Sequence, residues 1–159
     1  MLQRIQTVFL VLAAACLVVH VFLPIWFKFP ESGEFFRLNA LYFQQKLSAD
    51  AQSTYVYWPY SLTGVFSVAA IFITITSIAK YKNRPLQMRL GALNNLLIIG
   101  IIACGYIFSG QLQEEFMPEV VGKLSMGFFL PAVAAIFNIL SNRFIQRDEK
   151  LVKSVDRIR

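Results

Sequence analysis

The chain has 159 residues, 57% of them apolar and 15% charged, with a net charge of +6. An average soluble domain carries about 25% charged residues, so composition excludes an ordinary water-soluble fold. The positive charges gather at the edges of apolar runs rather than forming a nucleic-acid footprint, and nucleic acid is excluded as a partner.

After a short polar start carrying Arg4, an apolar run reaches Phe27, interrupted by Cys16 and His20. Arg4 ahead of an apolar stretch, with Ala13-Ala14-Ala15-Cys16 inside it, has the look of a cleavable lipoprotein signal. The run continues well past Cys16, however, and Ala13 stands where such a signal carries leucine. An uncleaved span over about 6–27 is expected. Residues 28–59 form a loop with balanced charge, in which Pro30-Glu31-Ser32-Gly33 is a turn signal flanked by Phe27, Phe29, Phe35 and Phe36. That arrangement admits a short hairpin, and 36–47 equally admits a helix lying on a surface. Tyr55-Val56-Tyr57-Trp58-Pro59-Tyr60 marks a membrane boundary, where amphipathic aromatic rings concentrate. A second span follows over about 60–79.

Residues 80–89 hold four cations and no acid. A basic segment between two apolar runs cannot sit in hydrocarbon, so it turns in water between the second span and a third at about 90–109. An acidic connector with Glu114, Glu115 and Glu119 leads to a fourth span at about 124–141 and a basic tail, 142–159. A hydrocarbon core about 30 Å thick needs roughly 20 apolar residues in a helix, which each of the four segments approaches. Arg4, the basic turn and the tail place eleven cations on one side, against four in the other two loops. By the positive-inside rule both termini are cytoplasmic.

Helices in lipid associate through small residues and through polar groups that bond across the interface. Such residues recur at spacings of three and four in the second span (Thr63, Ser67, Ala70, Thr74, Ser77) and the fourth (Gly127, Pro131, Ala134, Asn138, Ser141). In the first, Ala13, Cys16 and His20 share a stripe; in the third, Gly91, Asn95 and Gly105 are in register. The fold expected is an all-α four-transmembrane-helix bundle ending in a C-terminal basic amphipathic helix.

Chemistry is sparse. His20, Cys16, Thr74, Asn95 and Asn138 form the candidate intramembrane polar site. An ionisable group in a membrane is a functional candidate by default, but no Asp, Glu, Lys or Arg stands inside any span to complete a proton relay with His20. Asn94 and Asn95 point about 100° apart, so only one is expected to face the seam. Cys16 and Cys104 belong to no ligand spacing. No metal or other cofactor is expected, and no catalytic signature is present. In the tail, Phe144, Leu151, Val155 and Ile158 fall on one stripe, while Arg143, Arg147, Lys150, Lys153, Arg157 and Arg159 line other faces. Such a helix engages anionic lipid head groups or a protein partner.

Met1-Leu2-Gln3-Arg4-Ile5-Gln6-Thr7 and the ending from Arg143-Phe144-Ile145-Gln146-Arg147 to Asp156-Arg157-Ile158-Arg159 together resemble a bacterial family of four-span inner-membrane proteins, a domain-of-unknown-function family. The resemblance implies architecture and bacterial origin rather than chemistry. The leading functional expectation is a non-enzymatic accessory or scaffold subunit in the lipid bilayer, engaging a membrane-protein partner, a cytosolic protein or a second copy. An oligomeric transporter or channel for a neutral solute, built on a seam around His20, Thr74 and Asn138, is the alternative. A redox or quinone-linked protein, resting on His20, Cys16 and Cys104, is the third.

Overall fold

A computed structural model describes residues 2–30, 34–48, 51–81, 83–116 and 119–156, and the side chains of 5–151 among these. Among these residues four helices, α1 (Leu2–Phe22), α2 (Ser61–Ala79), α3 (Arg84–Glu115) and α4 (Met126–Asp156), each contain a stretch long and apolar enough to cross a membrane. The chain is a multi-pass membrane protein. At 1.5 Å per residue, the 19 residues of α2 cover about 28 Å, whereas the 32 of α3 extend to about 48 Å. Both α3 and α4 therefore overreach the hydrocarbon, and each overhang carries structure.

The fold is not all-α. Among the described residues five short strands, β1 (Trp26–Lys28), β2 (Phe35–Leu38), β3 (Phe43–Lys46), β4 (Thr54–Val56) and β5 (Lys123–Leu124), form one antiparallel sheet in the order β4-β3-β2-β1-β5. The hairpin anticipated around residues 30–33 is the β1–β2 pair, although 31–33 themselves lie outside the described residues. The helix considered over 36–47 is overturned. Asn39 donates its backbone N–H to the carbonyl of Tyr42, 2.9 Å, closing a tight turn between β2 and β3. Aromatics on both faces had hidden the two-residue period, and β5 joins β1 from a connector about 95 residues further along the chain.

The sheet covers one end of the bundle, hereafter the sheet end. Trp26, Leu38 and Phe43 pair side by side across three strands and are fully buried with Phe36. They pack against Phe108 and Leu112 on the overhang of α3, with Tyr60 and Phe128 at the margin. Burying each such side chain contributes about 1.5–3 kcal/mol, which fastens the sheet to α3. A second, separate core lies inside the bundle: Ala13 and Leu17 of α1, Ala70 of α2, Ile98 and Ile101 of α3, and Ala134 of α4.

At the opposite end the turn between α2 and α3 is tighter than the basic segment 80–89 suggested. Asn83 caps α3, its Oδ1 accepting from the N–H of Leu86 at 3.2 Å, and Pro85 occupies the first turn. Asparagine at the cap and proline just inside favour a helix start. Arg84 to Arg89 are thus helical. The tail is helical and continues the fourth span, α4 running unbroken to Asp156, but its first turns pack into the bundle rather than lying on a surface. Ile145 is 0% exposed, Phe144 stacks on Phe9 of α1 with centroids 5.6 Å apart, and Arg84 Nη2 stands 2.9 Å from Asp148 Oδ2. That last contact is an ion pair whose geometry falls short of a hydrogen bond. The buried stripe continues the seam through Ser141 and Ile145, while Leu151, assigned to the apolar stripe, is 56% exposed. Through Asp148 the tail is a standing extension of the bundle. The side chains of Arg4, Lys82, Lys153, Val155, Arg157, Ile158 and Arg159 lie outside the described residues.

Candidate functional site

The seam holds two polar regions rather than one site. At the sheet end His20, 1% exposed, faces the carbonyl of Gly127 in α4 at 2.6 Å. A carbonyl can only accept, so Nδ1 carries the proton and donates. The other ring nitrogen, Nε2, is buried without a protein partner. Cys16 lies one turn away on α1 and is half-buried.

At the other end, amides and hydroxyls join all four helices. Thr74 of α2 donates to the carbonyl of Ala70 at 2.8 Å and accepts from Asn94 Nδ2 at 3.0 Å. Asn138 of α4 donates through Nδ2 to the carbonyl of Gly91 and to Asn95 Oδ1, each at 2.8 Å. Gln87 Nε2 donates to the carbonyl of Ser77 at 2.8 Å, and Ser141 Oγ to that of Gln6 at 3.2 Å. The expectation that only one of Asn94 and Asn95 is used fails for a simple reason. Their 100° separation on α3 aims one at α2 and the other at α4, and both bond.

The structure therefore brings Asn95 to Asn138 and Thr74 to Asn94, but it does not bring His20 to any of them. Gly127 and Asn138 are eleven residues apart on α4, about 16 Å along its axis. The interval is filled by the buried apolar core of Ala13, Leu17, Ala70, Ile98, Ile101 and Ala134. Four amide atoms in the second region, Gln6 Nε2, Asn94 Oδ1, Asn138 Oδ1 and Asn142 Oδ1, are buried without a protein partner. Such a cluster can hold a polar neutral group but carries no titratable proton. Among the described residues no group of three or more His, Cys, Asp or Glu could hold a metal ion.

Sequence reasoning passed over Gln6, at the very start of the first span, and over Gln87 and Asn142, treated as flanks in water. Extending the three-and-four spacing back from Gly91 reaches Gln87, and that signal was available. Lys28 was also missed. It lies on the Trp26 side of β1, 1% exposed, and donates from Nζ to the carbonyl of Phe116 at 2.6 Å. The C-terminal end of a helix favours a cation, and here the cation ties the sheet to α3. Burial holds its pKa below the ordinary lysine value.

Asn138→Ala removes two interhelical bonds and is expected to destabilise the protein by about 1 kcal/mol, the scale found for such bonds in membrane bundles. Thermal unfolding in detergent checks this. A melting temperature equal to that of the unaltered protein would show that Asn138 contributes nothing to helix association.

No curated protein matches the chain. The family model described as Domain of unknown function (DUF4293) matches residues 2–158, and by that match over nearly its whole length the chain belongs to this family.

Proposed function

We propose that this protein is a non-enzymatic accessory or scaffold subunit of the bacterial inner membrane, with both termini in the cytoplasm. It engages membrane or cytosolic partners, and the head groups of anionic lipids, through the basic end of α4. The observation that carries this reading is the apolar core between the two polar regions: Ala13, Leu17, Ala70, Ile98, Ile101 and Ala134 are 0–1% exposed and separate His20 from the amides. A seam interrupted in this way favours a structural body over a conduit. The orientation rests on the eleven-to-four division of cations.

The exposed groups at the end opposite the sheet supply the contact surface. Arg143, Arg147 and Lys150 are all exposed at spacings of four and three, so they share one face of α4 beyond the buried Ser141 and Ile145. Each such cation near an anionic membrane surface contributes about 1 kcal/mol. A partner with an acidic face is recognised by the same charges.

Crosslinking in native membranes tests the reading. Deleting the tail would remove Ile145 and Asp148 and so disturb the bundle. The triple variant Arg143→Glu, Arg147→Glu, Lys150→Glu changes only exposed positions. The expected result is loss of the crosslinked partners at unaltered expression and melting temperature; an unchanged set of partners would refute docking through this face.

A further inference from the structure

The strand register aligns side chains that lie far apart in the sequence. Directly paired residues of an antiparallel sheet share a face. The pairings Phe27↔Lys123, Phe27↔Arg37, Arg37↔Gln44 and Gln44↔Tyr55 therefore set Lys123, Phe27, Arg37, Gln44 and Tyr55 in one row across all five strands. With strands about 4.8 Å apart, the row is about 19 Å long. It lies on the face opposite Trp26, Leu38 and Phe43, and so away from the helices. Beside it Phe35 pairs with Lys46. The ring of Phe29 lies 5.0 Å from that of Phe35, the Arg37 guanidinium lies 5.6 Å over the Phe35 ring, and Tyr42 meets Tyr55 edge-on at 5.4 Å. Phe29, Tyr55 and Lys123 are exposed; Phe27, Phe35, Arg37 and Lys46 are half-buried. A small cleft of about 120 Å³ opens at the β1–β5 edge of this face between Phe27, Lys28, Phe29, Val121 and Lys123. The rows thus interleave aromatic rings with three cations and hold no acid.

We propose that this outer face of the sheet binds an acidic glycan, a sugar polymer whose rings rest on the aromatic side chains and whose carboxylates or phosphates meet Arg37, Lys46 and Lys123. The charge of the face calls for an anion. Its rings call for flat apolar surface, which the C–H faces of sugars supply. An acidic peptide binding by strand addition takes its affinity from backbone groups at a sheet edge, and a face of paired strands offers none. Glycerol-type and serine head groups of anionic lipids bring charge without a ring to stack. Single-stranded nucleic acid would also satisfy rings and cations, but the topology proposed above puts this face outside the cell, and the choice of a glycan rests on that topology.

The test uses the full-length protein in phosphatidylcholine nanodiscs, titrated by calorimetry with an oligogalacturonate. The same oligomer methyl-esterified, polyglutamate and oligo-dT serve as comparisons. Binding of the oligogalacturonate is expected, with the ester at least about tenfold weaker, a difference of about 1.4 kcal/mol. Arg37→Gln with Lys123→Gln is expected to weaken binding about tenfold and flatten its salt dependence, because screening acts on the charges. Phe29→Ala with Tyr55→Ala is expected to weaken it about fivefold with the salt dependence kept, since stacking is not screened. All four positions face outward, and an unaltered melting temperature confirms folding. Absence of oligogalacturonate binding, equal binding of polyglutamate or oligo-dT, or indifference to both double variants would overturn the proposal. Topology is read separately, by labelling Tyr57→Cys in whole cells with an impermeant thiol reagent. Both faces of a nanodisc are open to solvent, so a failed topology and a failed glycan site give different results.

Discussion

Gly127→Val is expected to disrupt the sheet end of the bundle, at a cost of about 3 kcal/mol, while Gly110→Ala leaves stability equal or slightly higher. Both residues lie in helices, and only their surroundings differ. A Cβ at position 127 would overlap the carbonyl oxygen of Pro24 and lie 2.8 Å from that of Leu23. Both obstacles are backbone and cannot rotate aside, so relief requires α4 to withdraw from the α1–β1 connection. Withdrawal also breaks the bond from His20 to the Gly127 carbonyl. A Cβ at Gly110 meets nothing within 4 Å, and replacing glycine by alanine inside a helix gains about 0.5–1 kcal/mol. Thermal unfolding of both variants in one detergent gives the comparison. His20→Ala, which removes the bond without the clash, is expected to cost only about 1 kcal/mol. If Gly127→Val melts with the unaltered protein, the close approach of α4 to the α1–β1 connection is not what holds this end together.

The same contrast explains what could be read in the sequence. Hydropathy marks four helices because lipid imposes one length and one composition on each. The buried faces of α2 and α4 were also legible, since small and polar residues at three-and-four spacing stand out among Leu, Ile and Phe. Thr63, Ser67, Ala70, Thr74 and Ser77 are all buried, as are Ala134, Asn138 and Ser141. The contact faces of α1 and α3 were less legible, because Leu10, Leu17, Ile98 and Ile101 line them and look like lipid-facing residues. For the sheet, no local period gave it away. Strands of two to four residues are too short to show one, and Lys28 enters the interior only because a helix terminus formed elsewhere in the chain receives it. In the candidate site, the pairing of Asn95 with Asn138 depends on which faces of α3 and α4 meet, information carried by three-dimensional packing alone.

Trp26→Ala is expected to cost about 3–5 kcal/mol, and to spend it on the sheet rather than on the bundle. Trp26 is 3% exposed and pairs with Leu38 of β2 on one side and Leu124 of β5 on the other. Its indole lies so close over Gly122 that a Cβ there would overlap the ring. Removing it opens a cavity that three chain segments must share, and leaves the two-residue strand β5 held by backbone pairing and by the bonds from Gln113 and Ser125 at its flanks. The core inside the bundle involves none of these residues, being built from Ala13, Leu17, Ala70, Ile98, Ile101 and Ala134. Amide exchange should therefore rise across β1 to β4 and at β5 while the transmembrane parts of α1 to α4 stay protected, because local opening follows local packing. Far-UV circular dichroism should keep its helical signal through the temperature at which that protection is lost. Simultaneous loss of helix and sheet would instead show that the two cores unfold as one unit. In that case Lys28 and the overhang of α3 couple them more strongly than their separate packing implies.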